Sequence, residues 1–231
     1  LGENIMDYGL TETQVMIRDL CRQIAQEKIK PIREHYDEAN EFPHEIVKVF
    51  AEADICGLYI EEKFGGMGGG IMDLSIAVEE LSKVCSGIAL ALAATALGTF
   101  PIILFGSEEQ KKKYLPRVAS GQSLAAFGLT EANAGSDAGG IRTTAVLDGD
   151  HYVLNGTKQW ITNGGEAEIY SVVAITNKAK GPRGASAFIV EKGTPGFTFG
   201  KKENKMGIRA SATRELVFQD CRIPKANLLG K

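Results

Sequence analysis

The segment FGLTEANAGSDAGG, which runs from Phe127 to Gly140, lies where the sequence pattern changes from helical to strand-like. It begins within the short apolar run Leu124–Leu129 and is rich in small residues, which is typical of a loop after a strand. Such a loop can direct backbone N–H groups and the Ser136 hydroxyl toward a phosphate. Composition alone fits a simple turn at least as well, so both interpretations stay open at this point.

The residues after Ser123 form short apolar or alternating runs separated by Gly, Asn, Asp and Pro, the pattern of strands joined by turns. Asp148-Gly149 is a strong signal for a two-residue hairpin. The pattern predicts a β-barrel or β-sandwich with strands at Leu124–Leu129, Thr143–Val146, His151–Asn155, Ile169–Ile175, Ser186–Val190 and Glu215–Phe218.

The residues before Ser123 carry helical spacing and helix-start signals. These signals predict four helices, which start at Thr11, Pro43, Asp73 and Ser107 in turn. The first ends before Pro31, because proline cannot continue the hydrogen-bond ladder, and the third runs to Val84. The fourth, Glu108–Ala119, has the clearest start, because Ser107 and Gln110 form a capping-box pair.

Helices followed by strands, rather than alternating with them, argue for an α+β multidomain protein. The prediction is an all-α domain over residues 1–122 and a β-barrel or sandwich domain over residues 123–231. The boundary is expected near Gly121–Leu124. Ile88–Gly106 carries no charge and approaches the length of a membrane span, but Pro101 interrupts it, so a helix buried on all sides is preferred.

Composition narrows the function classes. A formal net charge of −3 over 231 residues, without a basic block, gives no support for nucleic-acid binding. The four cysteines form no C-x-x-C pair, and the chain shows no secretory signal, so reduced thiols are expected. No metal site is predicted, because the three histidines have no metal-binding spacing.

Trp160 is the only tryptophan, and Ile161-Thr162-Asn163-Gly164-Gly165 follows it. A large ring beside a hydroxyl can shield and hydrogen-bond a planar heterocycle, although a lone tryptophan is more often a core anchor. Together with the glycine-containing loop, this segment favours a ligand site over a core anchor.

Phe127–Asp137 and Lys158–Gly165 closely resemble, in order and separation, the two signature segments of the acyl-CoA dehydrogenase family. Ala132 stands where the family often has proline.

The similarity extends over essentially the whole chain and includes Leu97-Gly98, Pro101-Ile102, Gly106, Leu115-Pro116 and the segment from Lys205 to Arg209. The resemblance implies a non-covalently bound FAD. Residues implied to contact it are Phe127, Gly128, Leu129, Thr130, Gly135, Ser136, Trp160, Ile161 and Thr162. Thr162 would hydrogen-bond near flavin N5, and Ser136 would also face the CoA of the substrate. An acyl pocket would be bordered by Leu90, Ala93, Ala94 and Leu97, which suit plain core as well.

The resemblance also implies a reaction. In the family a glutamate removes the α-proton of an acyl-CoA thioester while the β-hydrogen leaves as hydride to FAD, giving the 2-enoyl-CoA. That glutamate belongs to a C-terminal helical domain, and Glu79, Glu80 and Glu131 match no family catalytic position. No catalytic residue is therefore assigned, and the chain is expected to be a portion of a longer enzyme.

The implied setting is fatty-acid β-oxidation, in the cytoplasm or, in a eukaryote, the mitochondrial matrix. Electron-transfer flavoprotein would accept the electrons, and the full-length protein would be a homotetramer, with no nucleic-acid or membrane partner. The alternatives are an acyl-CoA oxidase, a nitroalkane oxidase, a glutaryl-CoA dehydrogenase, or an FAD- and CoA-binding fragment without turnover of its own.

Overall fold

The computed structural model describes residues 9–231, so the first eight residues of the predicted helical domain lie outside the described part. The helical first part is confirmed. Its helices are α1 (Glu12–Ile24), α2 (Arg33–Ala39), α3 (His44–Glu52), α4 (Ile71–Phe105) and α5 (Glu108–Ala119), and a π-helical turn, Ala25–Ile29, continues α1.

Two helices start with the predicted cap residues. At α1, the Thr11 hydroxyl accepts from the Gln14 N–H at 3.2 Å, and the Gln14 side chain accepts from the Thr11 N–H at 3.1 Å. Ser107 and Gln110 form the same reciprocal pair at α5, at 3.2 and 2.8 Å. Both capping boxes satisfy backbone donors that would otherwise lack partners at a helix start.

The bounds of α4 differ from the prediction. Asp73 is not the cap residue but the third helical residue, and its carboxylate accepts from the Gly70 N–H at 2.7 Å. The predicted end at Val84 corresponds to a kink at Cys85, whose φ of −156° and ψ of 104° are not helical. The helix then continues through Pro101 to Phe105, because residues such as the fully buried Ile102 hold its last turns against the core.

The prediction that this segment is buried on all sides is wrong in part. Leu97, Leu104 and Phe105 expose 52, 66 and 61% of their surface, whereas the neighbouring Ala94, Ala96 and Ile102 are buried. By length and composition alone α4 could cross a membrane, yet 56% of its most apolar window is buried inside the protein. A core helix of this length passes the same compositional test.

Within residues 9–231, the eight strands belong to one mixed sheet. They are β1 (Ala125–Gly128), β2 (Thr144–Asp148), β3 (His151–Thr162), β4 (Ile169–Ile175), β5 (Ala185–Glu191), β6 (Phe197–Phe199), β7 (Thr213–Pro224) and β8 (Leu228–Leu229). The order across the sheet is β6-β7-β3-β2-β4-β5-β8, and β1 pairs in parallel with β4. The six predicted strand regions are confirmed, and β3 and β7 are longer than predicted.

The hairpin between β2 and β3 turns one residue later than predicted. Asp148 pairs with His151, so the turn residues are Gly149 and Asp150 rather than Asp148 and Gly149. Gly149 has a φ of +62°, a conformation that glycine adopts without steric cost. The turn signal was therefore correct, and its register was wrong by one residue.

Helices and sheet share one apolar core. Ala125, Ile169 and Ile189 of the sheet belong to the same buried cluster as Ile88, Leu92 and Ile102 of α4. The α5 residue Gln110 donates to the Ala226 and Leu228 carbonyls at 2.7 and 2.9 Å. Residues 120–124 connect α5 to β1, but a division into two domains there stays a prediction.

Candidate active site

Six of the nine residues predicted to contact FAD meet two of the predicted acyl-pocket residues around one open cavity of about 190 Å³. We call it the Trp160 cavity. Its lining residues are Ala94, Leu97, Phe127, Leu129, Thr130, Trp160, Ile161 and Thr162. They come from α4, from the end of β1 with the loop after it, and from the last residues of β3. Three segments that are distant in sequence therefore form one site.

A β-bulge directs the indole of Trp160 toward solvent. The pairing of β3 with β7 changes register between Lys158 and Ile161, and Trp160 has a φ of +59°. A bulge of this kind redirects a side chain that regular pairing would place elsewhere. The result is that Trp160 is 55% exposed at the cavity, while the next residue, Ile161, is buried in the core.

Two threonine hydroxyls supply polar groups to the apolar cavity. Thr130 and Thr162 are half-buried, and within residues 9–231 neither hydroxyl hydrogen-bonds to another protein group. The Thr130 carbonyl accepts from the Gln159 N–H at 2.8 Å, which ties the loop to β3. An apolar wall with a few fixed polar groups is what a planar ring with polar edges requires.

A close contact between α4 and β1 forms the third wall. A Cβ atom built on Gly98 would lie 2.4 Å from the Ala126 nitrogen, so only glycine permits this approach. The Ser171 hydroxyl donates to the Gly98 carbonyl at 2.7 Å. This contact places Ala94 and the exposed Leu97 at the same cavity as Trp160.

The other predicted site residues lie outside the Trp160 cavity. Gly128 is buried, and a Cβ there would meet Leu216 at 3.2 Å. Gly135 and Ser136 are exposed on the loop beyond the cavity, with open space around Gly135. Leu90 and Ala93 are half-buried on α4 and do not line the cavity. Their contacts with a ligand stay predictions.

The structure also assigns a role to residues that sequence reasoning did not select. Asn163 is fully buried, and its amide donates to the Ala91 carbonyl, the Thr95 hydroxyl and the Ala125 carbonyl at 3.3, 3.1 and 3.2 Å. It thus ties the end of β3 to both α4 and β1. Lys158 is fully buried and ion-paired. The only sequence signal was the position of both residues inside a signature segment.

The three glutamates that could have served as a base are occupied elsewhere. Glu131 is buried and paired with Lys158 at 2.8 Å. Glu80 is bound by Arg22 and Lys83, and the exposed Glu79 also contacts Lys83. None of the three lines the Trp160 cavity. Among residues 9–231 there is also no group of three or more His, Cys, Asp or Glu side chains that could hold a metal ion.

Comparison with known proteins matches this architecture. Residues 11–122 match the family model of the acyl-CoA dehydrogenase N-terminal domain, and residues 126–221 match that of the middle domain. The chain belongs to the acyl-CoA dehydrogenase family. The short-chain specific acyl-CoA dehydrogenase of Clostridium acetobutylicum is 48% identical over 227 residues, which cover 98% of this chain and 60% of that protein. The chain thus spans about 60% of the length of this curated relative.

Solved structures share the fold. A structure described as the electron transferring flavoprotein of Acidaminococcus fermentans contains a chain that is 50% identical, with a TM-score of 0.95, and the match covers 98% of this chain and 60% of that one. An acyl-CoA dehydrogenase from Bacillus anthracis complexed with FAD is 40% identical, with a TM-score of 0.88, and the match covers 96% of this chain and 38% of that one.

Proposed function

We propose that the Trp160 cavity binds the flavin ring of FAD. Three observations fit this group: the half-exposed indole beside the cavity, the open loop at Gly135 and Ser136, and the hydroxyls of Thr130 and Thr162, which make no hydrogen bond within residues 9–231. The loop would receive the pyrophosphate through its backbone N–H groups. The FAD complex of the Bacillus anthracis relative supports the same proposal.

We infer that the complete protein oxidises an acyl-CoA thioester to the 2-enoyl-CoA. FAD, when bound, supplies the hydride acceptor that no side chain can provide. Residues of this chain would hold the reactants: Ala94 and Leu97 form the apolar side of the cavity, where an acyl chain fits, and Ser136 would meet the CoA. Glu131, Glu79 and Glu80 are not proposed as the base, because each is ion-paired away from the cavity.

The observation that carries the proposal is that Thr130, Trp160 and Thr162 line one cavity together with Ala94 and Leu97.

We propose electron-transfer flavoprotein as the electron acceptor, with support from the Acidaminococcus structure. We also propose a homotetramer for the complete protein. A reducing compartment, the cytoplasm or the mitochondrial matrix, suits four free cysteines, of which Cys21, Cys56 and Cys221 are buried.

The test uses purified complete protein. It should be yellow from bound FAD. Butyryl-CoA, a short-chain acyl-CoA chosen because the curated relative is short-chain specific, should bleach the flavin absorbance without oxygen. A protein that stays colourless after incubation with FAD would contradict the proposal. Oxygen consumption with substrate would instead indicate an oxidase, and release of carbon dioxide from glutaryl-CoA would indicate a decarboxylating dehydrogenase.

The same assay on the 231-residue chain alone tests the binding-module alternative. We expect weak FAD binding by this chain. We also expect no bleaching by butyryl-CoA, because the three candidate glutamates are engaged in ion pairs and none is free to act as a base. Turnover by this chain would show that one of its residues acts as a base.

A further inference from the structure

Lys158 and Glu131 form an ion pair that is almost completely removed from water. Lys158 is 0% and Glu131 4% exposed, and their charged atoms are 2.8 Å apart. The ammonium also donates to the Leu129 carbonyl at 3.0 Å. The carboxylate accepts from the backbone N–H groups of Arg142 and Thr143 at 2.7 and 2.9 Å. Both charges are therefore held by several directed hydrogen bonds.

The pair lies directly behind two walls of the Trp160 cavity. Leu129 and Thr130 line one wall, and Glu131 follows them in sequence. Lys158 precedes the bulge that carries Trp160 on the other wall. The backbone of Glu131 also closes a small loop through two hydrogen bonds with Ala134, at 3.0 and 3.1 Å. The ion pair thus joins the loop of the first signature segment to the strand of the second.

Stability alone does not account for this pair. Removing two charges from water is costly, and well-packed apolar residues of similar size often replace a buried pair without loss of stability. Burial lowers the pKa of Lys158, and hydrogen bonding to Glu131 opposes that shift. Burial likewise raises the pKa of Glu131, but the bonds from Lys158, Thr143 and Arg142 outweigh it and leave that pKa below its usual value. What the pair supplies is a fixed geometry.

We propose that Glu131 and Lys158 are positioning residues for the flavin site. By fixing the Leu129 carbonyl and the loop against β3, they set the separation and orientation of Thr130 relative to Trp160 and Thr162. This role rests on the proposed FAD binding, and neither side chain touches the ring, since neither lines the cavity. The chain should fold without the pair, but it should bind flavin poorly.

The test is the double variant Glu131→Gln with Lys158→Met, which replaces the pair by uncharged side chains of similar size and keeps a side-chain oxygen that can accept from the backbone N–H groups of Arg142 and Thr143. The single variant Lys158→Met is unsuitable alone, because it leaves a buried carboxylate unpaired. We expect the double variant to keep cooperative thermal unfolding and near-native circular dichroism. Its dissociation constant for FAD should rise at least tenfold, and the bound flavin absorption band should lose the shape that it has in the unaltered chain.

The control is Lys113→Met with Glu191→Gln, which removes the charges of an ion pair of 2.6 Å between α5 and β5, away from the cavity, and leaves an oxygen for the Tyr114 hydroxyl. It should leave the FAD dissociation constant within twofold. Equal FAD affinity and an unchanged flavin spectrum in the Glu131/Lys158 double variant would overturn the positioning role, as would its failure to fold. No FAD binding by the unaltered complete protein would instead overturn the proposed function, and the positioning role with it.

Discussion

Trp160 has a backbone conformation that few tryptophans adopt. Its φ of +59° lies in the left-handed region, where a non-glycine residue costs on the order of 1–3 kcal/mol. The surrounding strand pairs, β3 with β7, hold this conformation and so keep the indole half-exposed at the cavity. Such strain concentrates at ligand sites, because the fold must stabilise a geometry that the local chain does not prefer.

The position of Trp160 makes it a direct reporter of flavin binding, since it is the only tryptophan. We expect titration with FAD to quench its emission and to reduce its quenching by acrylamide, because the flavin would cover the exposed ring. Reduced quenching by acrylamide shows that the flavin covers the ring, whereas loss of emission alone can also result from energy transfer over a distance. Trp160→Ala should weaken FAD binding roughly fivefold, about 1 kcal/mol of lost ring contact, and Trp160→Phe by less. FAD binding that leaves acrylamide access unchanged would contradict contact with the ring.

For single residues, the sequence indicates which residues belong to the site better than it indicates which residues contact each other. Thr130, Trp160 and Thr162 were selected through the family resemblance, and the structure brings them to one cavity. The partnership of Glu131 with Lys158 could not be inferred, because it joins residues 27 positions apart and depends on how the loop folds back on β3. In the sequence, nothing distinguishes Glu131 or Lys158 from a charged residue on the protein surface.

Gly98 decides how closely α4 approaches the sheet. The Cβ of Gly98→Ala would meet the Ala126 nitrogen at 2.4 Å, so the helix would have to shift from β1. We expect a loss of about 1–3 kcal/mol in the free energy of unfolding, because the overpacking outweighs the better helix propensity of alanine. Urea denaturation of the variant and the unaltered chain measures this difference. For Gly87→Ala in the same helix, the nearest atom is the Ala210 Cβ at 3.2 Å and the nearest backbone atoms lie at 3.4 Å, so this variant should cost less. Equal stability of the two variants would contradict this prediction.

The capping box of α5 stabilises the helix that contacts β5 and β8. Ser107→Ala removes the hydroxyl that accepts from the Gln110 N–H, and should cost about 1 kcal/mol, which is roughly 2–4 °C in thermal midpoint for a chain of this size. Ser75→Ala is the control, because among the described residues that hydroxyl donates to the Ile71 carbonyl within α4 and to no other group. It should be neutral or slightly stabilising. A loss in the control as large as that at Ser107 would contradict the capping role.

Elements with strong local signals were predictable, and short ones were not. The boxes at Thr11 and Ser107 are local chemistry, so the starts of α1 and α5 were correct. By contrast, α2 has no buried residue and therefore no apolar periodicity, and β6 and β8 have three and two residues. The continuation of α4 past Val84 depends on burial in the tertiary structure, which no local pattern reveals.

The helical and β parts are joined by polar contacts as well as by the shared core. Glu191 at the end of β5 accepts from Lys113 at 2.6 Å and from the Tyr114 hydroxyl at 2.8 Å, both on α5. Asp37 of α2 accepts from the Arg209 N–H at 3.0 Å, and the Arg209 side chain donates to the Asp37 carbonyl at 2.7 Å. With contacts at both places, we expect helices and sheet to unfold together rather than in sequence.

The Glu191 contact gives the junction a pH dependence of known sign. Burial raises the pKa of Glu191, but the hydrogen bonds from Lys113 and Tyr114 outweigh it, so that the pKa lies below its usual value in the folded chain. The carboxylate therefore stabilises the fold fully above the unfolded pKa of about 4.3 and loses that contribution as the pH falls through the folded pKa. Glu191→Gln should lower the free energy of unfolding by about 0.2–1 kcal/mol at pH 7, the range for a partly exposed ion pair.

Urea unfolding of Glu191→Gln and the unaltered chain between pH 7 and pH 3 measures this contribution. The difference between the two should be constant near neutral pH and shrink toward zero in acid, because protonated Glu191 and glutamine make similar neutral contacts. Glu52→Gln, at an exposed position of α3 without an ion-pair partner among the described residues, controls for the loss of one negative charge. A difference that persists unchanged at pH 3 would mean that packing, rather than the carboxylate charge, holds α5 to the sheet.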